Sequence, residues 1–333
     1  MNHPAKLSAI LGGALLGSTL LCAGAALADG PKVGIFVADS FGDRAFFDIA
    51  LGGKDLIEKN YDATVSTYEG RLQADKFFRQ LSDAGRANDF VFVLGFEAID
   101  AMLEAAEANA DAHFIFIDSK LDDSSVSSVG YRDSEGCFLV GALAGRVTTS
   151  GIEGANPDKV IGFVGGVDAP VIRDCQAGYE QGAAAVDPEI KVVSAYVGSF
   201  TDPAKGKAIN QSLNQEGSDI NYQYAGLSGE GGFDNVRGGG AGFALGAGFD
   251  QSWLAPGYVP GSMLKNVDLT IDHVTRDLIS GALAKGFQTS EGIKEGGLAV
   301  VTDPALVSDA VRAELDGLAA DISSGAIEVR SAL

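Results

Sequence analysis

Beyond the first thirty residues the chain carries two histidines, His113 and His273. His113 opens an apolar run, HFIFIDS, and His273 falls in the middle of a late helical pattern. Neither sits in a metal-ligand or general-base spacing, and the sequence has no H-E-x-x-H, C-x-x-C, G-x-S-x-G or Walker A pattern. GFVGG (Gly162–Gly166) follows an apolar run but lacks the G-x-G-x-x-G order, so it reads as a tight strand-to-helix turn. With 45 acidic residues, carboxylate pairs are inevitable, and none is set apart by its spacing. No catalytic set, metal or cofactor is expected. Cys137 and Cys175 each occupy an apolar position in a predicted helix; a disulfide and two buried thiols both stay open. One stretch asks for another explanation. SFGDRAFFDIALGG (Ser40–Gly53) places Phe46 beside Phe47 where a strand hands over to a helix, and one of two adjacent rings can face a core while the other cannot.

The elements that must position these residues alternate. KVGIFVAD, ATVSTYE, DFVFVLG and HFIFIDS read as strands, with helices DIALGGKDLIEKNY and AIDAMLEAAEAN among them. The rhythm restarts after the polar linker GIEGANPDK (151–159): VIGFVGG, KVVSAYVGSF, DINYQYAG and GFALGAGFD read as strands and PVIRDCQAGYEQGAAAV as a helix. SMLKNVDLTIDHVTRDLISGAL, after Gly261, reads as one long helix. Buried strands alternating with helices predict parallel sheets covered on both faces. Two such units make an α/β chain of two Rossmann-like lobes, whose strand ends face across a hinge and form a central ligand cleft.

The first residues predict an exported protein. Lys6 precedes an apolar stretch, Leu7–Ala28, that closes on Ala26-Leu27-Ala28, an A-x-A signal for cleavage after Ala28. A lipid anchor at Cys22 is disfavoured because Leu21, rather than a small residue, precedes it. Removing the first 28 of 333 residues leaves 305, and the loss of Lys6 takes the net charge from −21 to −22. Such acidity argues against nucleic acid or an anionic lipid surface as partner.

Four segments carry a resemblance. SSVGYRDSEGCFLVGALAG (127–145), KVIGFVGGVDAPVIRDCQAGYEQGA (159–183), KVVSAYVGSFTDPAKGKAI (191–209) and DQSWLAPGYVPGSMLKNVD (250–268) resemble the basic membrane protein family, substrate-binding proteins of ABC transporters that include purine nucleoside receptors. The resemblance implies a periplasmic-binding-protein type I fold with three crossovers between the lobes. The expected organisation is a signal peptide at 1–28, a first lobe of 29–149 plus about 260–286, and a second lobe of 150–259 plus about 287–333. It further implies a monomeric periplasmic receptor that hands a small solute to a membrane permease. A sensor for a membrane signalling partner would use the same fold and pocket.

The resemblance also implies ligand positions. The family's first loop, D-x-S-F-N, is occupied here by Asp43-Arg44-Ala45-Phe46-Phe47. Phe46 matches a stacking ring and Asp43 a nearby polar contact, while Phe47 replaces an amide. Asp118 matches a carboxylate on ribose hydroxyls, Phe200 the ring of the second lobe, Lys265 a lysine beside the ligand, and Gly226 a glycine-rich loop whose backbone approaches it. Anchored on Asp250-Gln251, the family's sugar-binding Asp becomes Gly248; a shifted gap gives that role to Asp250. Loss of the amide and of this carboxylate points to a free nucleobase or another flat, sparsely hydroxylated solute, because a site rejects groups that leave its own polar atoms unmet.

Overall fold

The computed structural model describes Met1 and residues 30–333; the predicted signal peptide, its cleavage point and Cys22 lie outside the described residues. The strands form two six-stranded sheets. The first holds β1 (Lys32–Val37), β2 (Thr64–Glu69), β3 (Phe90–Leu94), β4 (Phe114–Asp118), β5 (Ser127–Tyr131) and β11 (Gln288–Glu291), in the order β11-β5-β4-β3-β1-β2, all parallel. The second holds β6 (Val160–Gly165), β7 (Lys191–Tyr196), β8 (Ile220–Tyr224), β9 (Phe243–Gly248), β10 (Gly261–Lys265) and β12 (Leu298–Thr302), in the order β12-β10-β9-β8-β6-β7. Only β12 runs antiparallel, against β10.

The near-continuous apolar strands follow from burial on both faces. Val33, Ile35 and Val37 of β1 join one core with Phe92 and Ile115, while Phe36, Val93 and Phe116 join the core on the opposite face. Helix α1 (Phe46–Tyr61) covers the first face; α2 (Ala74–Ala87) and α3 (Ile99–Ala108) cover the second, with Phe77, Leu81 and Met102 buried. The remaining helices are α4 (Asp133–Thr148), α5 (Pro170–Val186), α6 (Pro203–Gln215), α7 (Glu230–Arg237), α8 (Val267–Ile279) and α9 (Asp309–Ser324).

The chain crosses between sheets three times, after β5, after β10 and after β11. This moves the expected boundaries. The stretch read as one helix after Gly261 is a strand and then a helix: β10 completes the second sheet, and only α8 returns to the first lobe. There α8 packs on α1, where a methyl group on Gly53 would stand 2.9 Å from Ile271 Cβ and Asn60 Nδ2 donates to Asp272 Oδ1 at 2.9 Å. β11, expected in the second lobe, pairs with β5 of the first. Local spacing could not show this, since the partners of β10 and β11 are distant in sequence. Helix α4, expected with the first lobe, is fused to α5 of the second. Their backbones touch through glycines: methyl groups on Gly141 and Gly178 would each lie 2.1 Å from a carbonyl oxygen, of Tyr179 and Ser134 respectively. A disulfide joins Cys137 of α4 to Cys175 of α5, with a Cα separation of 5.2 Å, and resolves the alternative that the sequence left open.

Candidate functional site

The loops at the C-terminal ends of the strands face each other between the sheets, as open α/β sheets dictate. The loop after β1 is cinched by two carboxylates. Asp43 accepts from the backbone N–H groups of Ala45, Phe47 and Asp48 at 3.0, 2.9 and 3.0 Å, and Asp48 accepts from those of Gly42 and Arg44 at 2.6 and 2.9 Å. Asp43 thus caps α1 rather than offering a free carboxylate to the cleft. Burial holds its carboxyl above the ordinary range, against those three N–H groups. The cap fixes the start of α1 and so fixes Phe46 and Phe47. Both rings are half-buried and pack on the main core, 5.7 Å apart and tilted by 54°.

The chemistry concentrates at Lys265, the last residue of β10. Its side chain is buried, yet charged. Nζ lies 2.5 Å from Asp118 Oδ1 and 2.8 Å from Asp133 Oδ1, and the rings of Tyr131, Phe46 and Tyr224 surround it at 4.9, 5.7 and 5.8 Å. Burial alone would lower the ammonium's pKa; the two carboxylates outweigh it, so the lysine stays protonated. Burial pushes Asp118 up to about 6, with Lys265 pulling it down and Asp133 pushing it further up. Asp118 comes from β4 of the first lobe and Lys265 from the second, so this pair spans the cleft. Asp118 is held at φ 106°, a conformation that costs an L-residue about 1–3 kcal/mol and persists only where its surroundings impose it. Asp133, the first residue of α4, is fully buried and also accepts from Tyr224 Oη–H at 2.9 Å. Its Oδ2 has no partner among the described residues. Two carboxylates against one ammonium leave this end of the site acceptor-rich with net charge −1.

Phe200 faces the cleft from the loop after β7. A methyl group on Gly166 would stand 2.2 Å from Phe200 Cε1, so the last glycine of GFVGG leaves the space that seats the ring. Gly226 has φ 56°, and a methyl there would meet Phe200 Cβ at 3.4 Å; its loop cradles Phe200, with Ser228 N–H donating to the Phe200 carbonyl at 2.9 Å. Phe96, after β3 of the first lobe, meets Phe200 edge-to-face across the cleft at 6.5 Å.

Phe46, Asp118 and Lys265 therefore meet between the lobes, while Phe200 and Gly226 of the second lobe meet Phe96 of the first. Asp250 does not join the cluster. It is exposed, and its carboxylate accepts from Ser252 N–H at 2.9 Å, ordering a surface turn. The adjacent Gln251 is buried and ties β9 to β10 through Ala247 N–H and Ser262 Oγ, so the Asp-Gln pair is structural. Gly248 has φ 93°, and a methyl on it would meet only Ile49 Cδ1, at 3.4 Å. Glycine at 248 supplies no carboxylate, and Ile49 lies within van der Waals reach of that position.

Sequence reasoning missed Asp133, Tyr131, Tyr224 and Phe96. Asp133 carried a usable signal, an acidic residue at the start of the apolar helix of YRDSEGCFLV; the other three look like ordinary strand or loop aromatics. Among the described residues no group of His, Cys, Asp and Glu is placed to hold a metal, and no helix is long and apolar enough to cross a membrane.

Comparison with known families decides what this cleft belongs to. The family model described as ABC transporter substrate-binding protein PnrA-like (Bmp) matches residues 31–332. The chain belongs to this family. The Bmp chain is similar to the ABC transporter nucleoside-binding protein BmpA of Lactococcus lactis, 28% identical over 297 residues that cover 82% of each chain. It is also similar to an uncharacterized lipoprotein of Pyrococcus furiosus, 29% identical over 301 residues that cover 85% of this chain and 74% of the relative. Among solved structures it resembles an ABC transporter solute-binding protein of Aeropyrum pernix, with TM-score 0.79 and 23% identity over 90% of this chain and 92% of that one. The fold is thus that of type I periplasmic binding proteins. As a Bmp protein the chain is an extracytoplasmic substrate-binding component of an ABC transporter and not an enzyme; it binds a small molecule for delivery to a permease.

Proposed function

We propose that the bound solute is a flat purine-type ring, a nucleobase or a sparsely hydroxylated nucleoside, held between Phe46 and Phe200 and delivered by a monomeric receptor. One observation carries the reading: half-buried aromatic rings from opposite lobes accompany a buried, acceptor-rich polar cluster, Lys265 with Asp118 and Asp133. Each stacking contact contributes roughly 0.5–1.5 kcal/mol beyond area burial. The cluster's carboxylates accept from hydroxyl or ring N–H groups, and its net negative charge disfavours phosphorylated ligands. The nucleoside-binding Lactococcus relative supports the ligand class. Ile49 facing Gly248, and Phe47 in place of an amide, support fewer sugar contacts than such a receptor would use.

A thermal-shift panel of nucleobases, nucleosides, sugars and amino acids tests this, since a ligand at a hundredfold excess over its Kd stabilises by about 2.7 kcal/mol. Stabilisation by some other class and by no purine overturns the reading. The Pyrococcus relative is named a lipoprotein, which favours an anchor at Cys22 against the sequence reading from Leu21. The intact mass of the exported chain distinguishes cleavage after Ala28 from acylation at Cys22.

A further inference from the structure

Arg44 and Glu230 face each other across the cleft, from the loop after β1 and the first turn of α7. Arg44 Nη1 lies 3.5 Å from Glu230 Oε1, close enough for an ion pair. Yet Glu230 Oε1 is buried with no hydrogen-bond partner among the described residues. The two groups oppose each other without saturating each other, so one has donors to give and the other an acceptor to fill. Both are anchored beside a stacking ring. Arg44 stands two residues before Phe46, in the loop that Asp43 and Asp48 cinch, with its backbone held at φ 47°. Glu230 follows the Gly226 loop, which is bonded to the Phe200 carbonyl through Ser228 N–H.

We infer that Arg44 and Glu230 form a second polar end of the ligand site and read a ring edge that carries a hydrogen-bond donor beside an acceptor. This rests on the purine-type reading above and specifies which groups of the ring are recognised. A guanidinium presents only donors and a carboxylate only acceptors. Side by side they complement the N1/N6 edge of adenine or the N1/O6 edge of hypoxanthine, with the carboxylate taking the ligand's N–H and the guanidinium donating to its N or O. Methylating the ligand's donor leaves Glu230 unmet, which lowers affinity roughly 10- to 100-fold. The Lys265 cluster then holds whatever polar group the ring carries at its other end.

The test is calorimetric titration of the wild type, Glu230→Leu and Arg44→Met with two ligand pairs: adenine against N6,N6-dimethyladenine, and hypoxanthine against 1-methylhypoxanthine. Melting curves of the free proteins check folding. The wild type should prefer the unmethylated member by tenfold or more, and the preference should fall to within about twofold in Glu230→Leu. Arg44→Met should weaken both unmethylated ligands. Equal weakening of methylated and unmethylated ligands would mean that the pair only latches the lobes, and it overturns the inference while leaving the purine reading in place. So does a wild type that binds purines without discriminating. Binding of no purine by the wild type overturns the reading and the inference together.

Discussion

Replacing Lys265 by methionine is the most informative single change. Lys265 is nearly inaccessible, 4% exposed, and its ammonium is the cation that faces both Asp118 and Asp133. Methionine fills similar volume without the charge, leaving two carboxylates side by side in a buried site. Removing one partner of a buried ion pair costs about 3–5 kcal/mol, which is the loss expected at pH 7.5. The loss should depend on pH, and its sign follows from Asp118. That carboxyl titrates at about 6 in the folded protein against an ordinary 3.8, so the folded state binds the proton more tightly than the unfolded state. Its contribution is fully favourable below the ordinary value and is lost as the pH rises through the folded one. Without the ammonium the carboxyl rises further, so acidification helps the variant more than the wild type. Urea titrations followed by circular dichroism at pH 7.5 and pH 5 measure this. The deficit should narrow by at least about 1 kcal/mol at pH 5, and adding Asp118→Asn at pH 7.5 should restore a similar amount. A deficit under about 1 kcal/mol at pH 7.5, or one equal at both pH values, would refute the electrostatic account of the cluster.

Three further outcomes are expected. Phe47→Asn should shift the ligand profile toward hydroxylated nucleosides relative to free bases; an unchanged profile in the same thermal-shift panel would mean that Phe47 only packs. The double variant Cys137→Ser, Cys175→Ala should lose about 4 kcal/mol of unfolding free energy, because the bridge closes a loop with a sequence separation of 38; a melting temperature unchanged under reducing conditions contradicts this. Asp43→Ala should cost about 1 kcal/mol through loss of the cap on α1, and should leave the balance between adenine and sugar ligands unaltered, whereas a selective loss of one ligand class would restore Asp43 as a contact.

The strands of both lobes were legible because parallel strands buried on two faces have to be apolar throughout: KVGIFV, FVFVL and FIFID leave little else to expect. β10 was not legible. Met263, Leu264, Val267 and Ile271 fall at helical spacing, and the pairing that makes GSMLK a strand comes from residues at 246–248 and 298–302. The resemblance named Phe46, Asp118 and Lys265, and the structure brings these three side chains together. The site was not legible where a residue's role depends on what the other lobe brings near it. Arg44 and Glu230 look like solvated charges along the chain, and their pairing appears only when the two lobes are brought together. Asp250 is the converse case: a shifted gap in the family pattern offered it as a sugar contact, and its carboxylate went to a turn.

The fusion of α4 to α5 decides how charge moves when the lobes part. Asp133 rides on α4, which its glycine contacts and the disulfide make rigid with the second lobe; Lys265 ends a strand of that same lobe, and Asp118 belongs to the other. Hinge opening therefore parts Lys265 from Asp118 and from the Phe46 and Tyr131 rings, while the lysine keeps Asp133 and, through it, the Tyr224 hydroxyl. Asp118, whose carboxyl burial raises to about 6, is the group of the cluster that parts from the ammonium on opening. The medium's acidity therefore acts on the opening step through the same carboxyl that makes folding stability depend on pH.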